Sequence, residues 1–210
     1  MPNLSDKGIY LPPSPIRKLV PYAEQAKRRG IKVYHLNIGQ PDIPTPQVAI
    51  DAVKSVSDKV FYYGHSAGNK SYRDKLVKYY ASVDIDVTAD DMVVTVGGSE
   101  AIFMAMTICM NPGDEVLVPE PFYANYNGFA MEAGVNIKPI SSTIANDFAL
   151  PPMEEFERLI TPHTKAILIC NPNNPTGVVY SEETIQKLAA VLEEKQKEFG
   201  TQIYLIADEP

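Results

Sequence analysis

Four short segments place reactive residue types directly after apolar runs. In "VTVGGSEA", residues 94–101, two glycines and the Ser99 hydroxyl precede helical spacing. Exposed amides at a helix start, the helix dipole and a hydroxyl all favour an anion such as phosphate, and glycine lets the backbone approach it. In "PEPFYANY", residues 119–126, Tyr123 could lay its ring on a planar ligand. In "NPNNPTG", residues 171–177, asparagine and proline alternate into a constrained loop, and Asn174 could offer an N–H to a ligand oxygen. In "ADEP", residues 207–210, Asp208 stands at the mouth of an apolar run, where a carboxylate can pair with a cationic ring nitrogen. Each segment also has a plainer reading: a tight turn capped by Ser99, aromatics Phe122, Tyr123 and Tyr126 packed in a core, a loop of turn-formers, and a solvated acid. As a set they offer a phosphate cradle, an aromatic plate, an amide donor and an acid. A phosphorylated heteroaromatic cation requires such a set, and pyridoxal 5'-phosphate is one. A ring nitrogen kept protonated by Asp208 would make it an electron sink for a substrate carbanion.

The elements that must hold these residues follow from periodicity. Five short runs, "MVVTV", "EVLVP", "VNIKPI", "KAILIC" and "IYLIA", alternate with helical stretches from about residue 91 onward. That alternation predicts βαβ units, and near-continuous apolar strands predict a parallel sheet covered on both faces. The fold class is α/β, a three-layer α/β/α arrangement with a mainly parallel sheet. In such sheets ligands bind at the carboxyl ends of strands, where all four segments fall. Upstream, residues 1–13 read as an extended arm. Ser14-Pro15 reads as the start of a helix ending at Gly30, and "KVYHL" as a short strand. Helices are expected near 47–56, 70–81, 123–133, 153–160 and 181–199.

Composition narrows the function classes. A net charge of -7 argues against a nucleic-acid surface, and the short Lys27-Arg28-Arg29 cluster falls at a helix end, where cations complement the dipole. Cys109 and Cys170 lie inside apolar runs and read as buried thiols of a reducing compartment. His35, His65 and His163 lack metal-ligand spacing, so no metal is expected. There is no apolar segment of the kind that leads a chain for export or spans a bilayer. The expected location is the cytoplasm.

With these residues in place, the sequence resembles the fold-type I pyridoxal-phosphate enzymes, specifically the class I/II aminotransferases of the aspartate aminotransferase kind. "SPIRKLVPYAEQAKRRG", "LNIGQPDIPTP", "YYGHSAGNKSYRDKLVKYY", "VTVGGSEAI", "PEPFYANY", "NPNNPTGVVYS" and "ADEP" occur in the family order across nearly the whole chain. The resemblance implies transfer of an amino group from an amino acid to a 2-oxo acid. It implies that Gly98 and Ser99 hold the cofactor phosphate, Tyr123 stacks on the ring, Asn174 meets the phenolate and Asp208 the ring nitrogen. Gly39 would lie beside the substrate α-carboxylate. Tyr63 would reach the phosphate of a partner subunit, which implies a homodimer. Some relatives carry lysine where Ser99 stands, so nothing here points to a second, distal substrate carboxylate. The resemblance divides the chain into an N-terminal arm and helix of the small domain, 1–45, and an incomplete large cofactor domain, 46–210. The family's Schiff-base lysine and its carboxylate-binding arginine are expected downstream of residue 210, so the chain reads as truncated, holds no catalytic residue of its own and should not transaminate alone. A carbon–sulfur lyase on the same scaffold and a non-catalytic aminotransferase-like regulatory domain are the alternatives.

Overall fold

The computed structural model describes residues 2–11, 14 and 16–210. By backbone contacts the chain forms two compact units, one of residues 1–33 with 96–210 and one of residues 34–95. The boundaries between these units fall at 33/34 and 95/96.

The first unit is built on four strands, β1 (Glu115–Glu120), β2 (Asn136–Ser141), β3 (Thr164–Cys170) and β4 (Tyr204–Asp208). They pair in parallel in the order β2-β1-β3-β4. The expected α/β class with a parallel sheet is therefore what the chain adopts. The helices are α1 (Asp6–Tyr10), α2 (Val20–Arg28), α3 (Gln47–Lys54), α4 (Lys70–Ala81), α5 (Gly97–Cys109), α6 (Tyr126–Ala133), α7 (Met153–Leu159) and α8 (Glu182–Phe199).

Alternation along the strands divides the core in two. Val116 and Val118 of β1, with Ala166 and Leu168 of β3, pack against α5 and α6 through Ile102, Met106, Tyr126 and Ala130. Leu117, Ile167 and Ile169 point the other way, onto Phe156 of α7 and Leu188, Val191 and Leu192 of α8. The three layers follow directly. The helix α8 buries Leu188, Val191 and Leu192 at helical spacing. Ser181 caps its first turn by accepting from the Thr184 amide at 3.2 Å, and Gly200 ends it with φ +62°.

Chain direction across the sheet reverses once. From β1 the chain crosses by α6 to β2, then returns by α7 past β1 to β3, and continues by α8 to β4. The change of face between α6 and α7 accompanies the change of direction, as crossovers of one hand require. The reversal leaves the carboxyl ends of β1 and β3 diverging side by side.

The second unit holds α3, α4 and their loops. Its buried charge is Arg73, whose guanidinium donates to the Ala89 carbonyl and lies 3.8 Å from Asp90.

Three local expectations are corrected. The run 92–96 is not a strand: the Val94 amide donates to the Ala67 carbonyl at 3.0 Å, and no described strand pairs with it. Residues 32–36 form no strand either. Within the expected arm, Asp6–Tyr10 is a short helix capped by Ser5, whose hydroxyl accepts from the Gly8 amide. The expected helix start at Ser14-Pro15 falls partly on Pro15, outside the described residues. Regular helix there begins with a 3-10 turn at Arg17–Leu19.

Because Phe156 is fully buried between β-sheet and α8, Phe156→Ala should destabilise by about 3–5 kcal/mol. Denaturant unfolding followed by far-UV circular dichroism measures this. A loss below roughly 1 kcal/mol would contradict the assigned packing.

Candidate functional site

The diverging ends of β1 and β3 define a crevice at the sheet's switch point, where open parallel sheets bind ligands. Four segments converge on these strand ends: the start of α5, residues 120–126 after β1, residues 171–177 after β3, and Asp208 closing β4.

The segment 171–177 is a loop tied to itself. Asn173, buried, accepts through Oδ1 from the Thr176 amide and hydroxyl, while its own amide donates to the Val178 carbonyl at 2.8 Å. Gly177 donates to the Asn173 carbonyl at 2.7 Å and sits at φ +75°, which favours glycine. Asn171 is anchored at both ends. Its amide donates to the Asp208 carbonyl at 3.0 Å, and its Oδ1 accepts from the Tyr180 amide at 2.9 Å. The Asn174 amide donates to Cys170 Sγ at 3.3 Å, yet the Asn174 side chain is exposed and makes no hydrogen bond among the described residues. Every asparagine of the loop but this one spends its side chain on the fold.

Asp208 lies beside Cys170 in the register of β3 and β4. Its Oδ2 accepts from the Tyr126 hydroxyl at 2.5 Å. Its other oxygen, Oδ1, faces the start of α5: a Cβ built on Gly98 would stand 3.9 Å from it. Burial, then the Asp208 carboxylate, push the Tyr126 hydroxyl far above the ordinary phenol range. Burial likewise pushes the Cys170 thiol up, with the Asp208 charge adding to it and the Asn174 amide partly offsetting it. Both neighbours of the carboxylate are therefore neutral.

Tyr123 is held in place from two sides. Its hydroxyl accepts from Asn125 Nδ2 at 2.6 Å, and its ring meets Tyr126 edge-on, with centroids 5.5 Å apart at 86°. Phe122 stacks on the other side of Tyr126 at 6.0 Å and 16°. At α5 the first turn has no side-chain cap: Ser99 is exposed, and it is Glu100 that accepts from the Val96 amide. The plainer reading of Ser99 as a cap does not hold.

Of the residues singled out from sequence, Gly98, Tyr123, Asn174 and Asp208 are thus linked through Tyr126 and Cys170, with Ser99 one residue from Gly98. Gly39 and Tyr63 belong to the second unit, where Tyr63 is fully exposed. Sequence reasoning placed Tyr126 in the core and Cys170 in a strand but gave neither a part in the site. Their separation from Asp208 and Asn174 in the chain carries no local signal, except that Tyr126 stands one helical turn after Tyr123. Among the described residues no cluster of histidine, cysteine and acids could hold a metal ion, and no helix is long and apolar enough to cross a membrane.

A three-layer α/β fold thus brings an exposed helix start, an aromatic residue and an acid together at neighbouring strand ends. The donor set fits pyridoxal phosphate: a Cα without side chain faces a carboxylate whose near oxygen is not the one bound by Tyr126. The chain belongs to the class I and II aminotransferase family, whose model matches residues 31–208. It is 31% identical over its whole length to an aspartate/prephenate aminotransferase of Thermus thermophilus, covering 53% of that protein. It is 34% identical over 93% of its length to an aspartate aminotransferase of Thermotoga maritima, covering 51%. A solved aminotransferase from Eubacterium rectale superposes with a TM-score of 0.88 at 30% identity, over 100% of this chain and 55% of that one. The chain spans about half the length of the curated relatives it matches.

Gly98→Leu would project a side chain toward Asp208 while keeping a helix-compatible residue at an exposed position. Binding of pyridoxal 5'-phosphate, read by absorbance titration, should weaken on the order of 10²-fold, with thermal stability within about 1 kcal/mol of the parent. Unchanged binding would remove the ligand from this space. A second expectation concerns alkaline pH. Burial raises the Tyr126 and Tyr180 hydroxyls above the ordinary value of 10.0. Above about pH 10 the unfolded chain releases these protons while the folded chain keeps them. The folded state then binds more protons, so stability is complete below pH 10 and falls as pH rises beyond it. Tyr180→Phe should flatten that fall in urea midpoints measured between about pH 9 and 11.

Proposed function

We propose that the protein is a pyridoxal-phosphate-dependent aminotransferase that moves an amino group from an amino acid to a 2-oxo acid. The observation that carries the reading is the approach of Gly98 to Asp208 Oδ1 across from the Tyr126 hydroxyl, in a chain of this family. Pyridoxal phosphate, when bound, supplies an electron-withdrawing ring that stabilises negative charge at the substrate α-carbon.

The chain's own residues have distinct parts in this reading. Gly98 and Ser99 offer main-chain and hydroxyl donors to the phosphate at the start of α5. Tyr123 covers one face of the ring, and Asn174 donates its free amide to the phenolic oxygen. Asp208 accepts from the ring nitrogen and holds a proton there. Gly39 lies at the substrate α-carboxylate, and Tyr63 serves the phosphate of a partner subunit in a homodimer. The domain division into 1–45 and 46–210, the cytoplasmic location, and a reactive lysine contributed by sequence following Pro210 belong to the same proposal. Relatives named for aspartate make that amino acid the first donor to test, and the tyrosine aminotransferase of Caenorhabditis elegans, 30% identical, makes tyrosine the second.

The test is product analysis with the full-length protein, cofactor, an amino acid donor and a 2-oxo acid acceptor. A new amino acid supports the proposal, while pyruvate with ammonia indicates a lyase. Asp208→Ala should lower turnover by roughly 10²-fold or more, the scale of removing one preorganised charge, with a smaller loss of cofactor binding. Unchanged turnover would refute the role of Asp208.

A further inference from the structure

The hydroxyl of Tyr126 is given no role of its own in the reading above, yet it belongs to a fully buried side chain and donates to Asp208. Tyr126 is 0% exposed, the first residue of α6, with Phe122 against one face and Tyr123 against its edge. For core filling alone, phenylalanine would serve, and a buried hydroxyl needs a partner to offset its desolvation. The partner found is a carboxylate 82 residues away, and only one of its oxygens. Oδ2 takes the Tyr126 hydroxyl, while Oδ1 looks toward Gly98.

We propose that Tyr126 is a positioning residue that fixes the Asp208 carboxylate in rotation and leaves Oδ1 as its acceptor for a ring N–H, so that the site selects a ring bearing a nitrogen over one bearing carbon there. Tyr126 touches neither substrate nor cofactor in this arrangement. It acts through Asp208, and through its edge contact it also sets the ring of Tyr123, so plate and acid are held by one side chain. The inference rests on the cofactor reading above.

Binding of pyridoxamine 5'-phosphate tests it, compared with the carbocyclic analogue that has C–H in place of the ring nitrogen. Neither compound carries an aldehyde, so covalent capture does not enter. Affinities are measured by fluorescence titration of the full-length protein and of Tyr126→Phe. The parent should prefer the nitrogen ring. Tyr126→Phe should reduce that preference by roughly tenfold or more, the scale of a hydrogen bond to a charged group, by weakening pyridoxamine phosphate and sparing the analogue. Equal loss for both ligands would make Tyr126 a packing residue only and overturn the proposal, as would no loss for either. In an Asp208→Ala background, Tyr126→Phe should leave the preference unaltered, and a further drop there would also overturn it. A parent protein that binds neither ligand, or binds both alike, would instead overturn the cofactor reading, and the role of Tyr126 with it.

Discussion

The pairing of β1 with β3 is the constraint on which the site depends. Both strands are buried on both faces, so each successive side chain must find a helix on its own side. That requirement draws α5 and α6 to one face and α7 and α8 to the other. It also forces the chain to leave β1 in one direction and β3 in the other. Where the two exits part, the backbone cannot fill the crevice, and the loops that follow the strands form its walls. The site is thus a consequence of how a two-faced sheet is covered, and the reactive residues occupy positions the topology would leave open in any case.

Within that crevice, rigidity comes from polar groups that serve the fold. Asn171 joins the loop after β3 to β4 by its amide and to Tyr180 by its side chain, and Asn173 is the buried centre of its own turn. A buried carbonyl or amide left unpaired would cost about 1–3 kcal/mol, so these bonds hold the loop in one conformation. Asn174 inherits that placement. Its amide is fixed by Cys170 and its side chain projects from a loop that cannot follow it. The same logic holds after β1, where Asn125 and Tyr126 restrain Tyr123 and leave its remaining ring face as the unused surface.

What could be read from sequence was whatever is decided locally. The helix 70–81 was legible to the residue, because Asn69 caps it by accepting from the Ser71 amide and its spacing is its own signal. The strands β1 and β3 were legible because a doubly covered strand is apolar throughout, and β2 and β4 because short β-branched runs alternate with helical stretches. The run 92–96 has the same texture and failed, since a strand is defined by a neighbour and its Val94 amide has gone to Ala67 instead. Val93 and Val96 are correspondingly exposed. The acid at Asp208 was legible from its place after an apolar run. Which of its oxygens is occupied, and by what, was not: that depends on a helix start 82 residues earlier in the chain.

The charge balance of the crevice ties these levels together. The half-buried Asp208 carboxylate loses part of its hydration, and the loss is tolerable only if donors or a cation replace the water. Tyr126 supplies one donor without supplying charge, and Cys170, kept as a thiol, adds none. The fold therefore stabilises the carboxylate partway and leaves its negative charge uncompensated by any side chain among the described residues. A lysine or arginine in place of Tyr126 would satisfy Asp208 better and make it useless, because an acid already paired with a cation has little to gain from a second. A neutral donor is the arrangement that orients the acid and still leaves it without a cationic side chain among the described residues.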